Sequence, residues 1–285
     1  MWYSDDVGDL ILGSEALRKL EYTFKTDTLF KMLFVKYPEL LKMLVADLLR
    51  MPLESIEEFK IRNPEMPPES LGDKFCRLDI NMTVNGQRVD LEVQVSNEGD
   101  YPERTMYHWA REFSTALPVG SGYSMLPRTI IISIIAFKLF ECAEYHSEFR
   151  PLEVTRHTQL SDKMVFHFFE LPKLPVDVNQ DNMLLLWLSL FKAETEEELE
   201  KIKSMEVAVM SQAIDAYYTI TASSEFRERE RLYEKARHDE AQALYDVEQK
   251  VKIEIAKKLL GLNIPPDQIA LATSLTHEEI EKLDV

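Results

Sequence analysis

Glycine is scarce in this chain, with eight among 285 residues, and there are only two cysteines, Cys76 and Cys142. No phosphate-cradling G-x-x-x-x-G-K-[ST] loop is present, which argues against nucleotide hydrolysis. Two cysteines make neither a disulfide framework nor a zinc pattern, so both are expected to be inert, largely buried thiols. No Ser-His-Asp arrangement or Cys/His metal cluster competes for the chain. No apolar run reaches the roughly 20 residues of a membrane-spanning helix. The start, Met1-Trp-Tyr-Ser-Asp-Asp, lacks a basic region and an apolar core, so the expected home is cytoplasmic. An excess of positive charge is missing too: 33 Lys+Arg stand against 50 Asp+Glu, a net of −17. That balance weighs against a polyanionic partner, because phosphate binding rests largely on Lys and Arg. The deficit is uneven. Residues 73–138 hold 7 Lys+Arg and 8 Asp+Glu, a net of −1, whereas residues 193–285 hold 12 and 21, a net of −9.

The most informative stretch is Arg77 to Val95. Asn85-Gly86 is a strong signal for a two-residue type I′ hairpin turn, because both positions need φ > 0. That turn sets Val84 opposite Gln87, Met82 opposite Val89, Ile80 opposite Leu91, Asp79 opposite Glu92 and Arg77 opposite Gln94. One face is then apolar (Leu78, Ile80, Met82, Val84, Val89, Leu91, Val93, Val95) and must be buried. Asp79, Asn81, Thr83, Arg88, Asp90, Glu92 and Gln94 project from the other. Asp79 and Glu92 are expected as a non-hydrogen-bonded pair, the closer kind, so their carboxylates repel. Two readings stand at this point. Either the polar face is solvated, as in many antiparallel hairpins, or a hard divalent cation sits between the carboxylates.

Asp79, a twelve-residue gap and then Glu92-Val93-Gln94 resembles the active-site signature of the PD-(D/E)XK nuclease superfamily, in the E-x-Q form of its recombination-promoting nuclease and transposase (Rpn-like) family. Thr26-Asp27-x-x-Phe30-Lys31, the helix with Arg104 and Tyr107, Gly122-Tyr123, the Ile-rich strand near 130–137, Glu170-Leu171-Pro172-Lys173 and Trp187 fall in family-like order. The likeness is detailed over roughly residues 23–190 and looser beyond. It implies a restriction-endonuclease-like α/β core, and metal-dependent endonucleolytic hydrolysis of DNA phosphodiesters linked to recombination or mobile elements. Asp79, Glu92 and Gln94 would be catalytic. Mg²⁺, or Mn²⁺ or Ca²⁺, would be held by Asp79, Glu92 and the Val93 carbonyl, with Asp27 as an accessory acidic group. Gln94 stands where many superfamily members carry lysine; a neutral amide can position water but adds no charge.

Taken in order, residues 15–24 are expected to form a short helix, followed by helices from Thr26 to about Val35 and from Pro38 to about Arg50. Asp27 and Lys31, one turn apart, make a modest ion pair on the plain reading. Pro64 to Gly72 is a loop. Pro102 opens a helix to about Leu117, with Met106, Trp109, Ala110 and Phe113 as its apolar side. On it Arg104, His108 and Arg111 form a stripe suited to a phosphodiester, or simply a solvated face. Arg128 to Phe137 reads as a strand buried on both faces. Residues 149–159 and Met164 to Leu171 read as a strand pair outside the core. The expected architecture is α/β with a mixed sheet flanked by helices over residues 1–192, then an all-helical region over 193–285. There a long charged helix runs from about 224 to 260, ending at Gly261. A helical hairpin follows, whose acidic second helix (Glu278, Glu279, Glu281) suits packing or homodimerisation better than DNA. A second class of function is a catalytically weak or inactive nuclease fold serving as a protein-interaction module, and a third is full strand transfer.

Overall fold

The computed structural model describes residues 17–63, 79–97, 99–117 and 119–283. Arg77, Leu78, Cys76 and the loop expected over Pro64 to Gly72 lie outside them.

A mixed six-stranded sheet organises the fold. Its strands are β1 (Phe59–Ile61), β2 (Ile80–Val84), β3 (Gln87–Gln94), β4 (Thr129–Ile135), β5 (His146–Phe149) and β6 (Met164–Glu170), in the order β1-β2-β3-β4-β6-β5. The β2–β3 hairpin has the expected register, Ile80 facing Leu91 and Val84 facing Gln87. Asn85 and Gly86 both take positive φ, 47° and 73°. Asn85 also ties the turn to the segment before β1: its Oδ1 accepts from Glu57 N (2.9 Å) and Glu58 N (3.0 Å), and its Nδ2 donates to Ser55 O (2.6 Å). β3 runs parallel to β4, and β4 parallel to β6.

The apolar hairpin face, Ile80, Met82, Val84, Val89 and Leu91, is fully buried. Each such side chain contributes about 1.5–3 kcal/mol by leaving water. It packs into a core shared with helices α1 (Asp27–Lys36), α2 (Pro38–Leu48), α4 (Met183–Lys192), α5 (Glu196–Lys203) and α6 (Ala208–Thr221). The opposite face of the sheet is covered by α3 (Tyr101–Ser114) over a smaller cluster of Tyr101, Ile131, Ile135, Phe166 and Phe168. β4 is buried along its whole length, as expected of a strand between two layers.

Several expectations are corrected. Residues 17–24 form no helix; Lys19 makes an isolated bridge to Thr195 instead. Met164–Glu170 is a core strand, β6, and its antiparallel neighbour is His146–Phe149, whereas 150–159 is mostly irregular, with an isolated bridge between Leu152 and Gln159. Apolar residues on both of its faces suit this place: Val165 and Phe169 face the main core, and Phe166 and Phe168 the cluster beneath α3. Val95 is exposed, and so is Cys142. Glu170 is fully buried and serves the fold, accepting from Leu139 N (2.7 Å) and Lys173 Nζ (2.7 Å). Trp187 Nε1 likewise donates to Asp47 Oδ2 (3.0 Å) inside the helical layer.

The described residues up to Phe226 form one compact unit and those from Arg227 a second. The division falls later than the expected 192/193, because Leu199, Ile202, Met210 and Ile214 of α5 and α6 belong to the main core. Helix α7 (Ser224–Gly261) leads into the second unit. There α8 (Pro266–Thr273) and α9 (His277–Glu281) close as a hairpin around Ala256, Ile269, Leu275 and Ile280. Thr276 caps α9 with a reciprocal bond to Glu279.

Candidate active site

The polar face of the hairpin is not solvated. α3 lies over it, and Asp90 and Glu92 retain only 5% and 6% of their exposure. Arg62 and Arg88 fasten this cover: Arg62 Nη1 meets Glu112 Oε2 at 2.7 Å, and Arg88 Nη1 donates to Glu112 O at 3.0 Å. The sheet surface beneath α3 is polar along β3, at Asp90 and Glu92, and apolar along β4 and β6, at Ile131, Ile135, Phe166 and Phe168, so the helix turns a mixed side inward, Trp109 packing on the apolar part. Tyr101 and Thr105 are buried, whereas Met106 and Ala110, expected on the inner side, are exposed.

Asp79 sits one residue before β2, outside the ladder. The expected strand pairing with Glu92 is therefore not made, and three side-chain bonds fix the residue instead. Its main-chain carbonyl accepts from Lys31 Nζ at 2.8 Å and from Asn63 Nδ2 at 3.1 Å, while its Oδ2 accepts from Asn81 Nδ2 at 3.2 Å. Asn63 Oδ1 accepts from Asn81 N at 2.8 Å. Asn63's amide thus continues the edge of β1 for one more rung.

The carboxylates of Asp79, Asp90 and Glu92 converge electrostatically. Burial pushes Asp79 above the usual carboxylate range and Glu92 adds to this, while contact with Asp90, Lys31 and His108 draws it back. Asp90 is pushed well above that range, first by burial and then by Asp79 and Glu92. One oxygen of Asp90, Oδ1, is buried without a hydrogen-bond partner. Glu92 Oε1 accepts from the Tyr101 hydroxyl and from Ser133 Oγ, the latter at 3.0 Å. Ser133 is Glu92's neighbour across the parallel β3–β4 pair.

The other expected site residues fall out as follows. Val93 lies in β3, its side chain packed against the main core. Gln94 ends β3, and its Nε2 donates to Ser96 O at 2.9 Å, so the amide is committed to the following turn. Asp27 begins α1, one turn before Lys31. Arg104 lies over the Tyr101 ring, 5.1 Å from its centre, and Arg111 is exposed on α3. Asp90, Asn63, Tyr101 and Ser133 were given no site role from the sequence, and Lys31 was read there as an ion-pair partner of Asp27. Two of them carried a signal: Asp90 shares a face with Glu92 at i+2, and Ser133 is the lone polar residue inside an isoleucine run.

The site thus lies where an acidic hairpin meets the parallel strand pair β3–β4 of a mixed sheet flanked by helices. The model of one protein family, described as PD-(D/E)XK nuclease family transposase, matches residues 24–246. The chain belongs to that family. No curated protein and no solved structure matches it. The restriction-endonuclease-like fold of PD-(D/E)XK nucleases accounts for the sheet order and flanking helices, with the match extending from α1 into α7.

PD-(D/E)XK nucleases generally use divalent metal ions. The donors fit such an ion: carboxylate oxygens suit a hard cation, and one buried Asp90 oxygen lacks a partner. Among the described residues, no three His, Cys, Asp or Glu side chains form a ready-made ligand cluster. Two carboxylates completed by water and substrate oxygens are the arrangement Mg²⁺ ordinarily accepts.

Proposed function

We propose that the protein is a metal-dependent DNA endonuclease that hydrolyses phosphodiester bonds at Asp79 and Glu92, in a recombination or mobile-element setting. The observation that carries this reading is the burial of mutually repelling carboxylates beneath α3, with Asp79 and Asp90 both shifted toward the protonated form. A scaffold gains nothing from that arrangement, whereas a divalent cation relieves it.

Asp79 and Glu92 would hold Mg²⁺, with the Val93 carbonyl as a further ligand. When bound, the ion supplies Lewis-acid polarisation of the phosphodiester and a more acidic water. The chain's own residues do the rest. Tyr101 and Ser133 orient the Glu92 carboxylate, and Asn63 and Asn81 orient Asp79. Arg104 and Arg111 of α3 would attract the phosphate backbone, and His108, close enough to attract Asp79, adds positive charge when protonated. Gln94 would act on water only after releasing Ser96 O, and the accessory acidic role of Asp27 belongs to the same proposal.

No described helix is long and apolar enough to cross a membrane, and a cytoplasmic site of action accords with DNA as substrate. Homodimerisation through the C-terminal helices is part of this reading. Leu244, Val247 and Val251 lie exposed on α7 at i, i+3 and i+7, a spacing that suits pairing with a second copy. Sedimentation of wild type beside Val247→Glu tests it; a monomer in both discards the dimer.

The enzymatic reading is tested on supercoiled plasmid with Mg²⁺, Mn²⁺ or EDTA. Nicked or linear product with metal and none with EDTA is the expected result. An intact plasmid under every condition favours the interaction-module reading, with the acidic region 193–285 as the surface to pursue.

A further inference from the structure

Helix α1 buries a lysine where its neighbours are apolar. Leu29, Phe30, Leu33 and Phe34 belong to the main core, and Lys31 between them is only 1% exposed. An ammonium taken out of water costs several kcal/mol unless it is compensated, and methionine would fill the same space without that cost. The compensation is specific: Nζ donates to the main-chain carbonyl of Asp79 at 2.8 Å, and the charge lies close enough to attract the Asp79 carboxylate. Gln94 supplies no such charge, being neutral and bound to Ser96 O.

We propose that Lys31 is the positioning residue of the site: its ammonium pins Asp79 at the entry to β2 and is the permanent positive charge built into the carboxylate cluster. The inference rests on the nuclease reading above and extends it to a residue on another layer of the fold. The consequence is geometric as well as electrostatic. Asp79 lies outside the strand ladder, and among the described residues Lys31 and Asn63 are the side chains that hold its main-chain carbonyl, so without Lys31 Asn63 is left to do so. The opposed carboxylates then repel with less to offset them.

The test compares wild type with Lys31→Met, one atom shorter and uncharged, and Lys31→Arg, charged but differently shaped. Each is measured by thermal unfolding, Mn²⁺ calorimetry, and cleavage of a labelled DNA duplex resolved into kcat and KM. Lys31→Met is expected to unfold cooperatively, bind Mn²⁺ at least tenfold more weakly, and lose at least 30-fold in kcat with KM within threefold. Lys31→Arg should recover part of both losses, which a merely structural lysine would not show. Should Lys31→Met fail to fold, Lys31→Gln, polar but uncharged, decides: at least a fivefold loss of Mn²⁺ affinity in a folded protein upholds the proposal, and wild-type affinity overturns it. A folded Lys31→Met with wild-type Mn²⁺ affinity and kcat overturns the proposal while leaving the nuclease reading intact. If wild type itself neither binds Mn²⁺ nor cuts DNA, the nuclease reading falls first and takes this inference with it.

Discussion

The Tyr101 hydroxyl donates to Glu92 Oε1 from the first turn of α3, so the helix that covers the sheet also aims the carboxylate beneath it. Removing this donor leaves Glu92 with Ser133 on that oxygen but less constrained in direction. Tyr101→Phe keeps the ring contacts with Phe137 and Phe168. It is therefore expected to fold, with Mn²⁺ affinity lower by about 10–100-fold, as for loss of an outer-shell partner. Calorimetry beside a thermal melt separates this from simple destabilisation.

Asp90 is a carboxylate held where its charge is disfavoured, so replacing it should help the fold. Its folded pKa lies above the unfolded value, which means the folded state keeps a proton the unfolded chain releases, and stability falls as pH rises through that window. Asp90→Asn removes this loss and can donate to Asp79. The expected gain is about 1.5–3 kcal/mol at pH 8, the range for a hydrogen bond to a charged group. The gain should shrink as pH falls below the ordinary aspartate value of 3.8, where wild-type Asp90 is protonated in both states. Urea unfolding of both proteins across pH measures it; a variant less stable than wild type at pH 8 contradicts the account.

A histidine pair at the β5–β6 edge gives the opposite sign. His146 Nε2 and His167 Nδ1 share a hydrogen bond at 3.0 Å, and Arg50 Nη2, which can only donate, meets His146 Nδ1 at 3.3 Å. His146 then donates to His167, and both rings are neutral. Burial, with His146, Arg128 and Arg150 adding to it, lowers His167 to about 4; burial and then Arg50 lower His146. The unfolded chain binds protons these rings refuse, so their contribution is complete above about pH 6.5 and lost as pH falls toward 4. For His167 that loss is on the order of 3 kcal/mol. His167→Phe should flatten this part of the stability profile relative to wild type, read as the difference between the two urea-unfolding series.

The turn that sets the register makes a fourth case. Glycine suits the φ of 47° at position 85 better than any other residue, yet Asn85→Gly should destabilise. The substitution deletes three side-chain bonds to Ser55, Glu57 and Glu58. A loss of about 1–3 kcal/mol is expected by chemical unfolding; an unchanged midpoint would show that those bonds are solvent-compensated.

The hairpin register and its buried face were legible because Asn85-Gly86 admits one alignment and a period-two apolar pattern admits one buried side. β4 was legible for a similar reason, as an unbroken isoleucine run suits only a strand covered on both faces. The alternating polar face was ambiguous, since Asp90 and Glu92 have the same spacing whether water or a helix lies over them. What decides it is α3, and its packing side could not be derived from its apolar residues alone because its partner surface is mixed, polar along β3 and apolar along β4 and β6. Lys31 was hidden by locality: as i+4 from Asp27 it makes a plausible surface pair, whereas its partner, Asp79, is 48 residues away. The family-like order of Thr26-Asp27-x-x-Phe30-Lys31 pointed to the segment without giving the lysine's direction.

The central claim is that Asp79 and Glu92 together hold a catalytic divalent ion. Its most direct measurement is calorimetric titration of Mn²⁺ into wild type, Asp79→Asn and Glu92→Gln, each checked for cooperative unfolding and run beside plasmid cleavage. The account predicts one Mn²⁺ site in wild type, with binding and cleavage lost together in both folded variants. Wild-type Mn²⁺ affinity and cleavage in either folded variant would place the chemistry elsewhere and contradict it.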